Sequence, residues 1–327
     1  MKYFFNRLKL ILSIFINSKI LKKPDFSEKK IFLQGKINEE NNQKKKLIKD
    51  FTEIEFSVFS QFGEDGIISW LVGNIPNIPK IFIEIGTQDY WESNTRFLLK
   101  SKGWKGYIIE CNQKDVNNIK KQRIYWQQNI KTINEFVDKD NINSLLKENI
   151  KEKDIGLLSL DIDGNDYWVL QQLNEISPQI IVCEFNSLFG DIHQITVPYE
   201  KNFDRNKNHY SNLYFGASIH AFINLLKKKN FSFVGTCSTG VNAFFIKNEL
   251  MHHIKEKIQN FSIFPSLARE GLDPEGNLDF KNTNDQLKKI YHLEVIDIKD
   301  NKKKKLSDFV EIYSKSWKNL FNNNGII

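Results

Sequence analysis

Residues 157 to 170, LLSLDIDGNDYWVL, place Asp161, Asp163 and Asp166 within six positions at the end of an apolar run. Like charges that close repel, so the cluster costs free energy unless a cation, a metal ion or a hydrogen-bonding substrate compensates it. A plainer reading makes Asp163-Gly164-Asn165-Asp166 a strand-to-helix turn, in which Asp and Asn cap the next helix and Gly supplies unusual backbone angles. Both readings stay open on this stretch alone.

The elements that must position such a cluster are legible around it. KIFIEIG (80 to 86), GYIIEC (106 to 111), IGLLSLDID (155 to 163) and PQIIVCEF (178 to 185) are near-continuous Ile, Leu and Val runs, as expected of strands covered on both faces. Stretches such as SNTRFLLKSKG and NINSLLKENI between them suit crossover helices, which gives a doubly wound, mostly parallel α/β sheet. FSFVGTCSTGVNAFFIK (231 to 247) is two strand-like runs around a Ser-Thr-Gly turn and predicts an antiparallel hairpin that ends the sheet.

Ligands of an open α/β sheet lie outside the carboxyl ends of its strands, where strand order reverses. Four runs end in acidic residues: Glu84, Glu110, Asp161 with Asp163, and Glu184 followed by Asn186. Gly86 suits a close backbone approach to a ligand. Glu110, about 25 residues after Gly86, stands where a carboxylate holds ribose hydroxyls in dinucleotide-type folds. The loop after Gly86 lacks the further glycines that bring a helix to a pyrophosphate, so the expected ligand is a nucleoside without a phosphate bridge.

The whole chain sets outer limits. Its 327 residues, 40% apolar with 26 Phe, are ample for a large core. The formal charge of +7 is spread along the chain, and KKK (44 to 46) and KKKK (302 to 305) read as solvated faces or tails, so no nucleic-acid partner is expected. Cys111, Cys183 and Cys237 are isolated, without zinc-ligand spacing, which suits a reducing, cytoplasmic compartment. Residues 1 to 23 are apolar and basic, too short to span a bilayer, and read as an interfacial helix on the inner membrane face or a helix packed on its own domain or a partner subunit. The chain then divides into a basic amphipathic helix and polar linker (1 to 50), a folded α/β domain (51 to 248) and a helical extension (249 to 327) that would serve as a lid or oligomer contact.

SQFGEDGII, FIEIGTQDYWESN, GYIIE, LLSLDIDGNDYWV, IIVCEFN and the closing FVGT...VNAFFIK, in that order over residues 57 to 247, resemble class I S-adenosylmethionine-dependent methyltransferases of the broad FkbM-like kind. The resemblance implies a Rossmann-like, seven-stranded sheet and S-adenosylmethionine as cofactor. Carried over by position, it implies that Glu84 and Gly86 line the methionine portion, Glu110 holds the ribose and Asp138 lies near the adenine. Gln61, Gly63, Glu64 and Asp65 would close over the methionine end. Asp161 and Asp163 would face the sulfonium and an acceptor hydroxyl. Metal-dependent O-methyltransferases are similar at Asp163, Glu184 and Asn186, which implies Mg2+ or Mn2+ there.

The expected activity is O-methylation of a saccharide, glycolipid or related small molecule. Without a metal, Asp163 or a histidine must take the acceptor proton. His193 is the candidate, with His209 and His220 in the same segment and Tyr199, Arg205, Tyr210 and Tyr214 as acceptor contacts. The rivals are a metal-dependent glycosyltransferase using Asp161-Ile162-Asp163, and an idle fold of the same type acting at a membrane surface or in an assembly.

Overall fold

The protein is described here by a computed structural model covering residues 26–266 and 271–323. The amphipathic segment expected over residues 1 to 23 lies outside the described residues. Helix α1 (Phe26–Gln43) is followed by α2 (Glu64–Asn74), β1 (Ile81–Ile85), α3 (Arg96–Lys102), β2 (Lys105–Glu110), α4 (Gln113–Lys121), α5 (Arg123–Gln127) and β3 (Ile130–Asn134). Then come α6 (Ile142–Asn149), β4 (Asp154–Leu160), α7 (Asp166–Gln172), β5 (Ser177–Glu184), β6 (Ile195–Thr196), α8 (Arg205–Asn208), α9 (Ile219–Lys228) and the strands β7 (Phe231–Thr236) and β8 (Asn242–Lys247). The last elements are α10 (Thr283–Ile290), β9 (Glu294–Asp297), β10 (Lys302–Lys305) and α11 (Lys315–Asn323).

Seven strands form one sheet in the order β3-β2-β1-β4-β5-β8-β7. The first five are mutually parallel, and β8 runs antiparallel to both β5 and β7. This is the expected doubly wound, Rossmann-like sheet closed by a hairpin. Its apolar runs are continuous because alternate residues enter two separate cores. Phe82, Ile108, Leu157, Ile180 and Phe244 face one side, whereas Ile83, Ile109, Leu158, Ile181 and Phe245 face the other.

Strand order reverses between β1 and β4, and the strand ends are flush there. The Gly86 amide donates to the Ile109 carbonyl and the Asp161 amide to the Ile85 carbonyl, each at 3.0 Å. Glu84, Glu110, Asp161 and Glu184 are therefore delivered to one edge by register alone.

Flanking segments pack onto this frame. Phe32 of α1 lies against Phe59 and Phe97. The region after β8 departs from the expected helices: 249 to 259 is 3-10 turns, and KKKK is strand β10, paired antiparallel with β9 in a small sheet that β6 completes. Tyr313, Trp317 and Phe321 are buried in the same core as β4 and β5. Among the described residues, no helix is long and apolar enough to cross a membrane.

Candidate active site

A cleft of about 580 Å³ opens at the carboxyl ends of β1, β2, β4 and β5. Nine carboxylate side chains and one basic side chain, Arg205, are among its lining residues. Carboxylates this dense create a negative potential that repels phosphates and attracts a cation.

The β1 and β2 carboxylates are engaged by the loops that follow them. Glu84 is buried and accepts from the Asn94 amide at 2.9 Å, the Ser93 hydroxyl at 2.7 Å, and the amide and hydroxyl of Thr95. Burial raises its pKa. Glu110 Oε2 accepts from the Thr87 and Gln88 amides at 3.0 and 2.8 Å, while Oε1 accepts from the Asn112 amide at 2.8 Å and the Cys111 thiol at 3.3 Å. A carboxylate offers about four lone-pair directions, so a ribose hydroxyl at Glu110 would displace the weakest donor, the thiol. Burial and Glu110 push that thiol up to about 11, which leaves Cys111 protonated at neutral pH and a poor nucleophile.

Gly86 lines the cleft and also makes a close approach to protein backbone. At φ +81° it carries the chain past β4, and a Cβ there would stand 1.7 Å from the Asp161 carbonyl oxygen. This close approach is to the backbone at the end of β4. Gly86→Ala is expected to cost roughly 2–4 kcal/mol from left-handed strain and the clash, read as a lowered Tm in thermal unfolding.

Asp161, Asp163 and Glu184 bring ligand oxygens within 4.8 Å of one another. Burial first, then Asp163 and Asp166, hold Asp161 well above the usual carboxylate range, and burial with Asp161 does the same for Glu184. Each therefore binds a proton more readily than a free carboxylate does. Glu184 Oε2 is buried without a hydrogen-bond partner. Asp163, at φ +56°, is more exposed and is paired with Arg205 Nη1 at 2.5 Å. Arg205 in turn lies 3.8 Å from the centre of the Phe215 ring.

Asp166 answers to the plainer reading of the acidic stretch. It is buried and accepts from the Ile162 and Gly164 amides, each at 2.9 Å, which closes the turn into α7.

Several sequence-predicted residues are placed elsewhere. Asn186 is engaged by protein groups: its Nδ2 donates to the Leu213 and Phe215 carbonyls and its Oδ1 accepts from the Leu188 amide. His193 is outside the cleft, with Nε2 against the Glu311 carbonyl at 2.5 Å and its ring beside Phe309. Asp138 does not line it either. It is buried and accepts from the Asp140 and Asn141 amides ahead of α6, while the neighbouring Phe136 and Val137 face the cleft. Gly63 starts α2, where a Cβ would strike the Glu55 side chain. Of that stretch Gln61 lines the cleft. Glu64 accepts from Asn242 Nδ2 and the Phe62 amide, and Asp65 gathers the Val58, Phe59 and Ser60 amides. His209 and His220 are also outside the lining.

No protein-family model and no curated protein matches the chain. Among solved structures, an S-adenosylmethionine-dependent methyltransferase from Clostridium acetobutylicum ATCC 824 aligns with 56% of this chain and 90% of its own, at 12% identity and a TM-score of 0.38. The N-terminal domain of EvdMO1 with SAH bound aligns with 58% and 81% at 9% identity and 0.38. A SAM-dependent methyltransferase from Aquifex aeolicus aligns with 64% and 97% at 10% identity and 0.35. At TM-scores below 0.5 these likenesses do not bear on what this chain binds.

Sequence reasoning passed over Asn94 and Phe203, and read Asn165 only as a helix cap. Asn94 lines the cleft and donates to Ser159 Oγ at 3.1 Å. Asn165 donates to the Glu200 carbonyl and leaves Oδ1 buried and unpartnered. Phe203 packs where a Cβ on Gly164 would be. The Asn and Gly beside the acidic cluster were the available signal, and nothing local marks Phe203.

Proposed function

We propose that the chain is an S-adenosylmethionine-dependent methyltransferase that transfers the methyl group to a hydroxyl of a saccharide, glycolipid or related small molecule. The observation that carries this reading is the acidic cleft at the strand-order reversal, which suits a cationic nucleoside. A sulfonium is such a cation. Methyl transfer breaks the C–S bond, returns its electron pair to sulfur as a neutral thioether, and forms a C–O bond to the acceptor. The acceptor proton goes to the Asp161–Glu184 pair, whose raised affinity for protons equips it as a general base.

The acceptor class is supported by the many hydrogen-bond acceptors in the cleft, which suit donor hydroxyls. The hard oxygens of Asp161, Asp163 and Glu184 also suit Mg2+ or Mn2+, and the unpartnered Oε2 of Glu184 offers an open ligand position. Such an ion would lower the pKa of a bound hydroxyl. Transfer is then expected to stop in excess chelator and return with Mg2+ or Mn2+. Full activity in chelator assigns the proton to the carboxyl pair alone.

The sugar-nucleotide reading has less support, because a pyrophosphate would enter among nine carboxylates. The test is single-turnover assay of radiolabelled methyl transfer from S-adenosylmethionine to a panel of glycosides and glycolipids. Labelled hydroxyl ether product supports the proposal. Transfer from UDP-sugars with Mn2+ and none from S-adenosylmethionine would replace it.

A further inference from the structure

The opposite end of the sheet holds a second cavity, of about 620 Å³, between the amino ends of β5 and β7 and the last turns of α7 and α9. Its volume is within the range of small-molecule sites, about 300–1,000 Å³. Leu173, Ile176, Leu226 and Phe231 give it an apolar wall.

Two cations stand over that wall. Lys229 is half-buried, donates to the Leu173 carbonyl at 2.8 Å, and has no ion pair among the described residues. Burial lowers its pKa. Lys247 donates to Ser177 Oγ at 2.5 Å, and its ion-pair partner, the exposed Glu249 carboxylate, is 3.8 Å away. An ammonium that has lost water and gained only a carbonyl dipole keeps a strong attraction for an anion. The hydrocarbon wall beside it favours a ligand with an apolar body.

We propose that this cavity binds an amphiphilic anion, an aliphatic chain ending in a carboxylate. The carboxylate sits between Lys229 and Lys247, in competition with the solvent-screened Glu249, and the chain lies on Leu173, Ile176, Leu226 and Phe231. An anionic head on an aliphatic chain is presented both by a free fatty acid and by an anionic lipid surface, and a volume of about 620 Å³, in the range of small-molecule sites, commits the site to the free molecule.

Calorimetric titration of decanoate into the full chain tests the site, with decanol, inorganic phosphate and phosphatidylglycerol vesicles as comparisons. Decanoate is expected to bind at one site below its micellar concentration, and decanol at least ten-fold more weakly. Lys229→Met is expected to weaken decanoate at least ten-fold, about 1.4 kcal/mol. Lys247→Met, at a side chain 23% exposed, is expected to weaken it several-fold and carries the test if the first variant does not fold. Equal binding of decanol, equal binding of phosphate, binding of vesicles alone, no binding of decanoate, or decanoate binding unchanged in the folded variants would each overturn the proposal.

Discussion

Asp161→Asn and Glu184→Gln are each expected to lower the methyl-transfer rate by about 10²–10⁴-fold, the range for loss of a general base. Cofactor binding should change only several-fold, because the ribose and methionine contacts proposed for Glu110 and Glu84 lie on β1 and β2. Stability should move the other way. Burial raises the proton affinity of both carboxyls in the folded chain, whereas in the unfolded chain they titrate near 4. The stability this pair contributes is full below about pH 4 and is lost as pH rises through the raised folded values, since the native state then holds protons that the unfolded chain releases. Either amide variant should therefore raise Tm at pH 8 and change it little at pH 4. Paired thermal melts at those two pH values, beside single-turnover rates, check both halves. A variant that is slower and also less stable at pH 8 would show that the pair is structural.

Glu110→Ala should weaken S-adenosylhomocysteine by roughly ten-fold or more, about 1.4 kcal/mol, and should also lower Tm. The second effect follows from the structure, since the Thr87, Gln88 and Asn112 amides lose their acceptor, and the buried one, that of Thr87, costs about 1–3 kcal/mol when left unsatisfied. The two roles separate with a deoxynucleoside. If Glu110 holds the ribose hydroxyls, removing them from the ligand costs affinity in the wild type and almost nothing in Glu110→Ala. An equal loss in both would leave Glu110 as a scaffold for the two loops.

The parallel sheet was readable because burial on both faces turns strands into unbroken apolar runs, and the acidic residues closing those runs had to meet at one edge. What could not be read was how each carboxylate is spent. Glu84, Asp65 and Asp166 look alike as acidic residues at turns, yet each is engaged by backbone amides of nearby loops. Only the folded chain shows that Glu184 keeps an unpartnered buried oxygen while Asn186, two residues on, bonds two carbonyls and an amide. Gly86 was singled out correctly as a place of close approach, but its neighbour is the Asp161 carbonyl. Strand β10 was hidden for another reason. Four consecutive lysines have no apolar face, and they become a strand through pairing with β9, where Lys304 meets Asp297 at 2.6 Å. That is tertiary context overriding local pattern.

The claim on which the account turns is that the acidic cleft holds the adenosyl cofactor. Calorimetric titration of S-adenosylmethionine and S-adenosylhomocysteine into the full chain tests it most directly. The account predicts one site for each, tightening for the cationic sulfonium as salt is lowered, because nine carboxylates face it. Folded protein that takes up neither ligand at millimolar concentration, or that binds UDP-sugar with Mn2+ instead, would contradict it.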